Sequence, residues 1–131
     1  MGGPRAPRPL ILDAGALVAF DGRDRRVGVL VQRAKDLAAP VMVPSTVLAQ
    51  VWRDGSRQAR LAALLGHRGT RVVDLTETLA KATGELCGSR QVSDIADASV
   101  VLIARRERGV VLTGDVDDLL RLDPALEVVA I

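Results

Sequence analysis

The chain has 131 residues, of which 48% are hydrophobic and 26% charged, a composition typical of one folded domain that excludes a disordered or fibrous protein. Aromatic residues make up only 2%, which argues against nucleic-acid binding by a row of stacked bases. Lys and Arg exceed Asp and Glu by only 18 to 16, so the net charge of +2 does not by itself indicate a nucleic-acid-binding surface.

Five short apolar runs predict β-strands, and most of their residues are apolar on both faces. Such strands are typical of a parallel sheet covered by helices on both sides. The predicted strands are residues 9–12, 41–43, 71–75, 110–113 and 127–131.

Segments with helical spacing lie between the strands. Thr76 and Ser45 are predicted N-caps, and Gly109 is predicted to end a helix. The alternation predicts an α/β three-layer sandwich with a central parallel sheet, formed by a single domain over residues 9–131 after a disordered leader at 1–8. The predicted helices are residues 14–20, 25–38, 45–52, 56–66, 76–89 and 94–108.

The sequence offers neither a membrane span nor a disulfide. Its longest uncharged run, 37–52, contains two prolines and is shorter than the roughly 18 residues that a membrane helix needs. Cys87 is the only cysteine, so an intrachain disulfide is excluded and a cytoplasmic location is expected.

Four aspartates are predicted to converge at one edge of the sheet. Asp13 ends the first strand, and Asp115 follows the fourth strand by two residues. Ligands of open α/β sheets bind at the carboxyl ends of the strands, where both would lie. Asp94 and Asp97 are one helical turn apart at the start of the helix that precedes the fourth strand.

Carboxylates placed together repel one another unless a cation neutralises them. Mg²⁺ or Mn²⁺ suits oxygen ligands, whereas zinc prefers His or Cys. This chain has only His67, which is far from every motif, and Cys87, which is flanked by apolar and small residues. Helix capping is an alternative role for Asp94 and Asp97, and Asp115 has an alternative role as a turn residue. Asp13 is harder to explain in this way, because burying an unpaired carboxylate after three aliphatic residues is costly.

Four segments of the chain, in order, resemble the motifs of PIN-domain ribonucleases, most closely those of VapC-type toxins from bacterial toxin–antitoxin systems. The segments are residues 10–14, 43–53, 94–98 and 111–119. The resemblance runs from residue 9 to the C-terminus. It implies a parallel sheet between helices, an acidic pocket that binds Mg²⁺ or Mn²⁺, and cleavage of RNA. It also implies an antitoxin partner and a homodimer.

The resemblance assigns roles to individual residues. Asp13, Asp97 and Asp115 match catalytic, metal-binding acids, and Asp94 matches a position that is often a further acid. Thr113 matches a hydroxyl residue that supports the pocket, and residue 117, an aspartate here, lies where some members have an accessory ligand.

Gln50 departs from the family pattern, which has Glu at this position. Glutamine keeps an oxygen that can coordinate a metal but removes one negative charge. Three interpretations stay open: a working natural variant in which Asp94 compensates, a weakened or inactive nuclease, and an engineered substitution.

Arg53, next to the second motif, is a candidate contact for RNA phosphates. Arg105, Arg106 and Arg108 form a further basic group, better explained as positive charge near a helix C-terminus. Trp52 is predicted to pack in the core.

Three other functions compete with metal-dependent cleavage. The first is a PIN-like module that binds RNA or an antitoxin without hydrolysis. A receiver domain would need a Lys after a late strand, but Lys35 and Lys81 lie in predicted helices. A phosphatase of the Asp-x-Asp type is poorly supported because Ala14 and Gly15 follow Asp13.

Overall fold

Five parallel strands form one sheet in the computed structural model, which describes residues 7–131. Their order across the sheet is β3-β2-β1-β4-β5, and all neighbouring strands are parallel, as predicted. The strands are β1 (Leu10–Leu12), β2 (Val41–Pro44), β3 (Thr70–Val73), β4 (Val110–Thr113) and β5 (Val128–Ala130).

Seven helices flank this sheet within residues 7–131, which confirms the predicted α/β sandwich. Six of them match predicted segments to within a few residues, and the seventh, α7, was not predicted. The helices are α1 (Ala14–Asp21), α2 (Arg25–Asp36), α3 (Ser45–Val51), α4 (Ala59–Gly66), α5 (Glu77–Arg90), α6 (Ile95–Glu107) and α7 (Val116–Leu122).

The core forms where the apolar strands meet the apolar stripes of the helices. In α2, Val27, Val31 and Ala34 are buried at helical spacing, and this helix packs against β2, whose four residues are all buried. Helix α6 contacts β1, β2 and β4 through a longer buried stripe. Burying each large aliphatic side chain contributes roughly 1.5–3 kcal/mol, so these two helices hold the central strands in place.

Two of the predicted helix boundaries hold and one is wrong. Thr76 caps α5 by accepting a hydrogen bond from the Leu79 N–H at 3.2 Å. Ser45 is not an N-cap, because β2 runs directly into α3 and Pro44 takes the cap position. The Ser45 hydroxyl instead accepts from the Leu75 N–H at 3.0 Å and joins the ends of β2 and β3.

Helix α6 ends just before Gly109, as expected, but the left-handed residue at its end is Arg108, with φ 53°. Gly109 is needed because there is no room for a side chain at this position, not because of its backbone conformation. A Cβ there would lie 2.1 Å from Ile11 Cδ1 and 3.0 Å from the Pro9 carbonyl oxygen. The glycine therefore lets α6 turn tightly into β4 beside β1.

The start of the described chain packs against the domain. Arg8 donates to the Arg108 carbonyl at 2.9 Å and lies 2.5 Å from Glu127. Residues 1–6 of the expected leader lie outside the described residues. From residue 7 onward, none of the helices has the length and apolar character needed to span a membrane.

The direction of strand addition reverses beside β1. From β1 the chain adds β2 and β3 on one side, and β4 and β5 on the other. In open α/β sheets, ligands bind outside the carboxyl ends of the strands at this kind of reversal. Asp13 and Thr113, which end β1 and β4, are located there.

Candidate metal centre

Asp13 is fixed at the end of β1 by two hydrogen bonds, and only 3% of the residue is exposed. Its Oδ1 accepts from the Ala16 N–H at 2.9 Å, which caps α1. Its Oδ2 accepts from the Thr113 hydroxyl at the end of β4. A carboxylate with both oxygens engaged is held in one orientation and retains lone pairs for a further partner.

Thr113 connects Asp13 to Asp115. While its hydroxyl donates to Asp13, the same oxygen accepts from the Asp115 N–H at 2.7 Å. The adjoining turns also touch, because a Cβ at Gly15 would lie only 3.4 Å from the Gly114 backbone. The ends of β1 and β4 are therefore held close together by one hydroxyl and two residues without side chains.

The third acidic element is the start of α6. Asp94 is its N-cap, and its Oδ1 accepts from the Asp97 N–H at 2.9 Å. The capping interpretation is therefore correct for Asp94, although its charge still acts on the neighbouring acids. Asp97, in the first turn of α6, is partly buried. Helix α6 is tied to α3 by a 2.7 Å hydrogen bond between Ser99 and Thr46.

Asp97, Asp115 and Asp118 bring their carboxylates together. One ligand oxygen from each lies within 4.8 Å of the others. Asp118 was not selected as a site residue from the sequence. It is three residues after Asp115, the N-cap of α7, so the first helical turn brings it back over the cap. Recognising α7 in the sequence would have identified it.

The electrostatics of the site follow from this crowding. Burial, followed by the charges of Asp94, Asp115, Asp13 and Asp118, raises the pKa of Asp97 from its ordinary value of 3.8 to about 7. These contributions show that Asp13 and Asp94 act on the same site even though they lie outside the closest group of three.

The pKa of Asp115 is raised as well, first by desolvation and then by the adjacent Asp118 carboxylate. Arg121 is the only cation recorded near Asp118 in residues 7–131, with its Nη1 4.0 Å from Asp118 Oδ1. The site therefore holds more negative charge than its own side chains neutralise.

The donor set fits a hard divalent cation. Opposite oxygens around an octahedral Mg²⁺ are about 4.2 Å apart, since each lies about 2.1 Å from the metal. One oxygen from each of the three carboxylates lies within 4.8 Å of the others, so the three side chains are close enough to share one cation. No histidine or cysteine belongs to the group, so its chemistry favours an oxygen-binding cation over zinc.

The structure does not bring Gln50, Asp117 or Arg53 into the group of three carboxylates. Gln50 is exposed in the last turn of α3, one turn after Thr46, and no hydrogen bond to an aspartate is recorded for it in residues 7–131. Asp117 is exposed and lies outside the group formed by its neighbour Asp118. Arg53 folds back onto α3 and donates to the Ala49 and Trp52 carbonyls at 3.3 and 2.6 Å.

The prediction that Trp52 packs in the core is wrong. Its side chain is 37% exposed, because α3 ends at Val51 and the chain turns outward. The indole lies against Gly55, where a Cβ would be 3.1 Å from the ring.

A scan against protein-family models matches residues 10–123 to the PIN domain. The chain belongs to the PIN domain family. This match includes Asp13, Asp94, Asp97 and Asp115, and it confirms the family that the sequence motifs resemble. It also removes the receiver and phosphatase alternatives. No significant match is found among curated proteins.

Solved PIN-like structures share the fold at low sequence identity. VapBC2 from Rickettsia felis, bound to a DNA fragment from its promoter, has a TM-score of 0.67 at 15% identity, covering 93% of this chain and 98% of the other. FitAcB from Neisseria gonorrhoeae has a TM-score of 0.60 at 16% identity, covering 91% and 95%.

VapC20 from Mycobacterium tuberculosis, described as a toxin that cleaves the sarcin–ricin loop, has a TM-score of 0.61 at 20% identity. The alignment covers 83% of this chain and 93% of VapC20. At these identities the likeness concerns the fold, and it agrees with the family match.

Proposed function

We propose that this PIN-domain protein is a metal-dependent endoribonuclease and the toxin of a toxin–antitoxin pair, with Mg²⁺ or Mn²⁺ as its cofactor. The observation that carries the proposal is the convergence of Asp97, Asp115 and Asp118 within 4.8 Å, beside the reversal in strand order. RNA as the substrate rests on membership of the PIN family and on the likeness to VapC20, the toxin that cleaves the sarcin–ricin loop.

In this mechanism the aspartates would hold the cation, and the hydroxyl of Thr113 positions two of them, Asp13 and Asp115. Asp13, Asp97 and Asp115 are the principal ligands, with Asp94 and Asp118 assisting. A bound divalent cation would acidify a water and stabilise the charge that develops on a phosphodiester during in-line attack. The hydrogen bonds of Thr113 keep Asp13 and Asp115 in place, so little reorganisation is needed.

A cleft of about 310 Å³ beside the carboxylates provides room for the substrate backbone. It is lined by Asp94, Asp97 and Asp118 together with Gln91, Ser93 and Arg121. The Arg121 guanidinium can donate to a phosphate from this cleft. Arg53 is proposed as a second phosphate contact, which requires it to leave the carbonyls that it now contacts.

The substitution Asp97→Asn tests the proposal. Cleavage of a structured, fluorescently labelled RNA should require Mg²⁺ or Mn²⁺, stop with EDTA, and fall by more than about 100-fold in the variant, since even residues that only support a metal ligand are worth 10–100-fold. Asp74→Asn, an exposed acid after β3, is the matched control and should cleave normally. Equal cleavage by Asp97→Asn and the parent would disprove the metal assignment.

A PIN module that binds RNA or an antitoxin without cleavage is the second candidate. It is favoured by Gln50, which lacks the family's charge, and by Asp94, whose Oδ1 is already used as a helix cap. Calorimetry separates the two functions. A module without catalysis should show no binding of Mg²⁺ or Mn²⁺, whereas the proposed nuclease should bind both.

We further propose a cytoplasmic protein that forms a homodimer and pairs with an antitoxin. The likeness to the VapBC2 and FitAcB structures supports the antitoxin partner. The acidic site would accept a cationic side chain from such a partner. Co-purification with the product of an adjacent gene tests the pairing, and light scattering tests the dimer.

A further inference from the structure

The amino ends of the strands carry two adjoining clefts that the proposed chemistry does not use. The first, of about 520 Å³, is lined by residues at the ends of α2 and α4, among them Lys35, His67 and Arg68. The second, of about 940 Å³, includes Arg8 and Arg108. Both clefts share Ala38, Pro40 and Arg71, so they form one continuous depression.

Positive charge dominates this depression. Five cationic side chains line it, against only two carboxylates, Asp36 and Glu107. The formal excess of three charges exceeds the net charge of +2 for the whole chain. We call the five cations the basic rim: Arg8, Lys35, Arg68, Arg71 and Arg108.

Most of the basic rim has no acidic partner. Within the part of the chain that the structure describes, only Arg8 of these five lies within 4.0 Å of a carboxylate, that of Glu127. The two carboxylates in the depression have other partners. Asp36 accepts from Gln32 at 2.9 Å, and Glu107 pairs with Arg106 at 3.2 Å. Lys35, Arg68, Arg71 and Arg108 are therefore available to an external anion, whereas Arg8 is already paired.

The type of anion follows from the donors. His67 Nδ1 accepts from the Gly69 N–H at 3.0 Å, so the neutral ring carries its proton on Nε2 and adds a further donor. None of the lining residues is Phe, Trp or Tyr, so His67 supplies the only aromatic ring among the lining residues of the two clefts. A group of guanidinium and ammonium donors with a single aromatic ring suits phosphates better than a row of bases.

The acidic site needs cations elsewhere on the protein if RNA is to bind. Its aspartates repel RNA phosphates, and Arg121 is the only cation lining the adjacent cleft. A four-residue strand spans about 13 Å, so an RNA of more than several nucleotides can reach both edges of the sheet. We infer that the basic rim binds the phosphodiester backbone of RNA away from the cleaved bond. RNA as the ligand rests on the proposed function.

Binding measurements with a triple substitution test this inference. Lys35→Gln, Arg68→Gln and Arg71→Gln are combined in the Asp97→Asn background, which should prevent turnover while RNA binding is measured. Fluorescence anisotropy should show about 10-fold weaker binding of an RNA of about 24 nucleotides, with a log–log salt slope smaller by about 2, since each phosphate contact contributes about 0.7.

The matched control removes the same charge elsewhere. Arg23→Gln, in the turn after α1, and Arg25→Gln and Arg26→Gln, in the first turn of α2, alter exposed cations that have no recorded ion pair in residues 7–131. This variant should keep most of the affinity. Equal losses in the two triple variants, or no loss in either, would overturn the inference. The inference would also be overturned if duplex DNA bound more tightly than RNA and lost as much affinity on substitution of the rim.

The outcomes separate the two proposals. If the parent does not cleave RNA but the rim variant loses affinity, the nuclease proposal fails and the rim stands. If the parent cleaves RNA and the rim variant binds RNA normally, only the inference about the basic rim fails. Thermal melting confirms that each variant is folded, and Mn²⁺ calorimetry on the rim substitutions, without Asp97→Asn, should match the parent.

Discussion

At the carboxyl edge of the sheet, acidic residues from three elements converge and hydrogen bonds hold the carboxylates of Asp13 and Asp94, whereas at the amino edge the basic side chains are mostly without partners. Asp13 has both carboxylate oxygens engaged, and Asp97 has a strongly raised pKa. Arg68 and Arg71, by contrast, are exposed and have no recorded ion pair in residues 7–131.

This difference indicates two kinds of binding. Fixed carboxylates suit a small ion that demands particular geometry, while adaptable cations suit a long polyanion of variable shape. Substitutions at the carboxyl edge should therefore change metal affinity and pH dependence. Those at the amino edge should change salt-dependent RNA binding and leave the metal unaffected.

The largest effect is expected for Thr113→Val. The change leaves Asp13 with one hydrogen bond and the Asp115 N–H without its acceptor. We expect the free energy of unfolding to fall by about 1–3 kcal/mol and Mn²⁺ affinity to fall roughly 10–100-fold. Urea unfolding and calorimetry measure the two quantities.

Thr70→Val is the control at the opposite edge. The Thr70 hydroxyl is buried and has no recorded partner within residues 7–131, so replacing it with a methyl group should leave stability unchanged or raise it. If both valine variants lose the same stability, the link through Thr113 has no special role.

The pH dependence of stability should be the next largest effect. In metal-free protein the folded state keeps the Asp97 proton up to about pH 7, whereas the unfolded chain loses it near 3.8. The folded state thus binds more protons in this window, and the free energy of unfolding should fall as pH rises from about 4 to 7, by roughly 2 kcal/mol after solvent screening.

Urea unfolding of the parent and of Asp97→Asn across this window measures the effect. The variant should be less sensitive to pH and more stable than the parent at pH 7 in EDTA. Saturating Mg²⁺ should reverse the trend in the parent, because a cation displaces the proton. A parent whose stability rises over the same window would contradict the crowding of the acids.

Asp118→Asn should have a smaller effect on the same edge. Its carboxylate belongs to the group within 4.8 Å, whereas that of Asp117 does not. We expect Mn²⁺ affinity to fall about 10-fold for Asp118→Asn. Asp117→Asn carries the same charge change, and its Mn²⁺ affinity should stay within about two-fold of that of the parent. The reverse ranking would favour the accessory role that the family pattern gives to Asp117.

The smallest effect is expected for Gln50→Glu. The added charge lies on the exposed last turn of α3, so we expect Mg²⁺ affinity to rise by only about five-fold, equivalent to about 1 kcal/mol between charges near the surface. Calorimetry checks the change. Unchanged affinity would remove Gln50 from the site.

The sequence was sufficient to predict the strands, although the edge strands β3 and β5 are only partly buried. Continuous apolar runs marked all five strands, and the carboxyl-edge rule brought Asp13 and Asp115 to one place. Helix α7 was missed because it is short and begins with acids that are equally typical of a turn. The role of Asp118 depends on that helix and was missed with it.

Local context decided the remaining differences. Trp52 is large and apolar, but it follows the last residue of α3 and so turns to solvent. Ser45 is a good capping residue, yet the uninterrupted passage from β2 into α3 gives the cap position to Pro44. Single-residue preferences do not include these connections, which are set by tertiary packing.

The two hydrogen bonds of Asp13 determine which substitution can remove its negative charge without disturbing the fold. One oxygen begins α1 and the other meets β4, so truncation to alanine would damage the scaffold along with any chemistry. Asparagine keeps an oxygen for the Ala16 amide and places an amino group against Thr113, whose hydroxyl can accept as well as donate. Asp13→Asn is therefore the substitution expected to remove the negative charge of this residue while preserving the connections that it makes to α1 and β4.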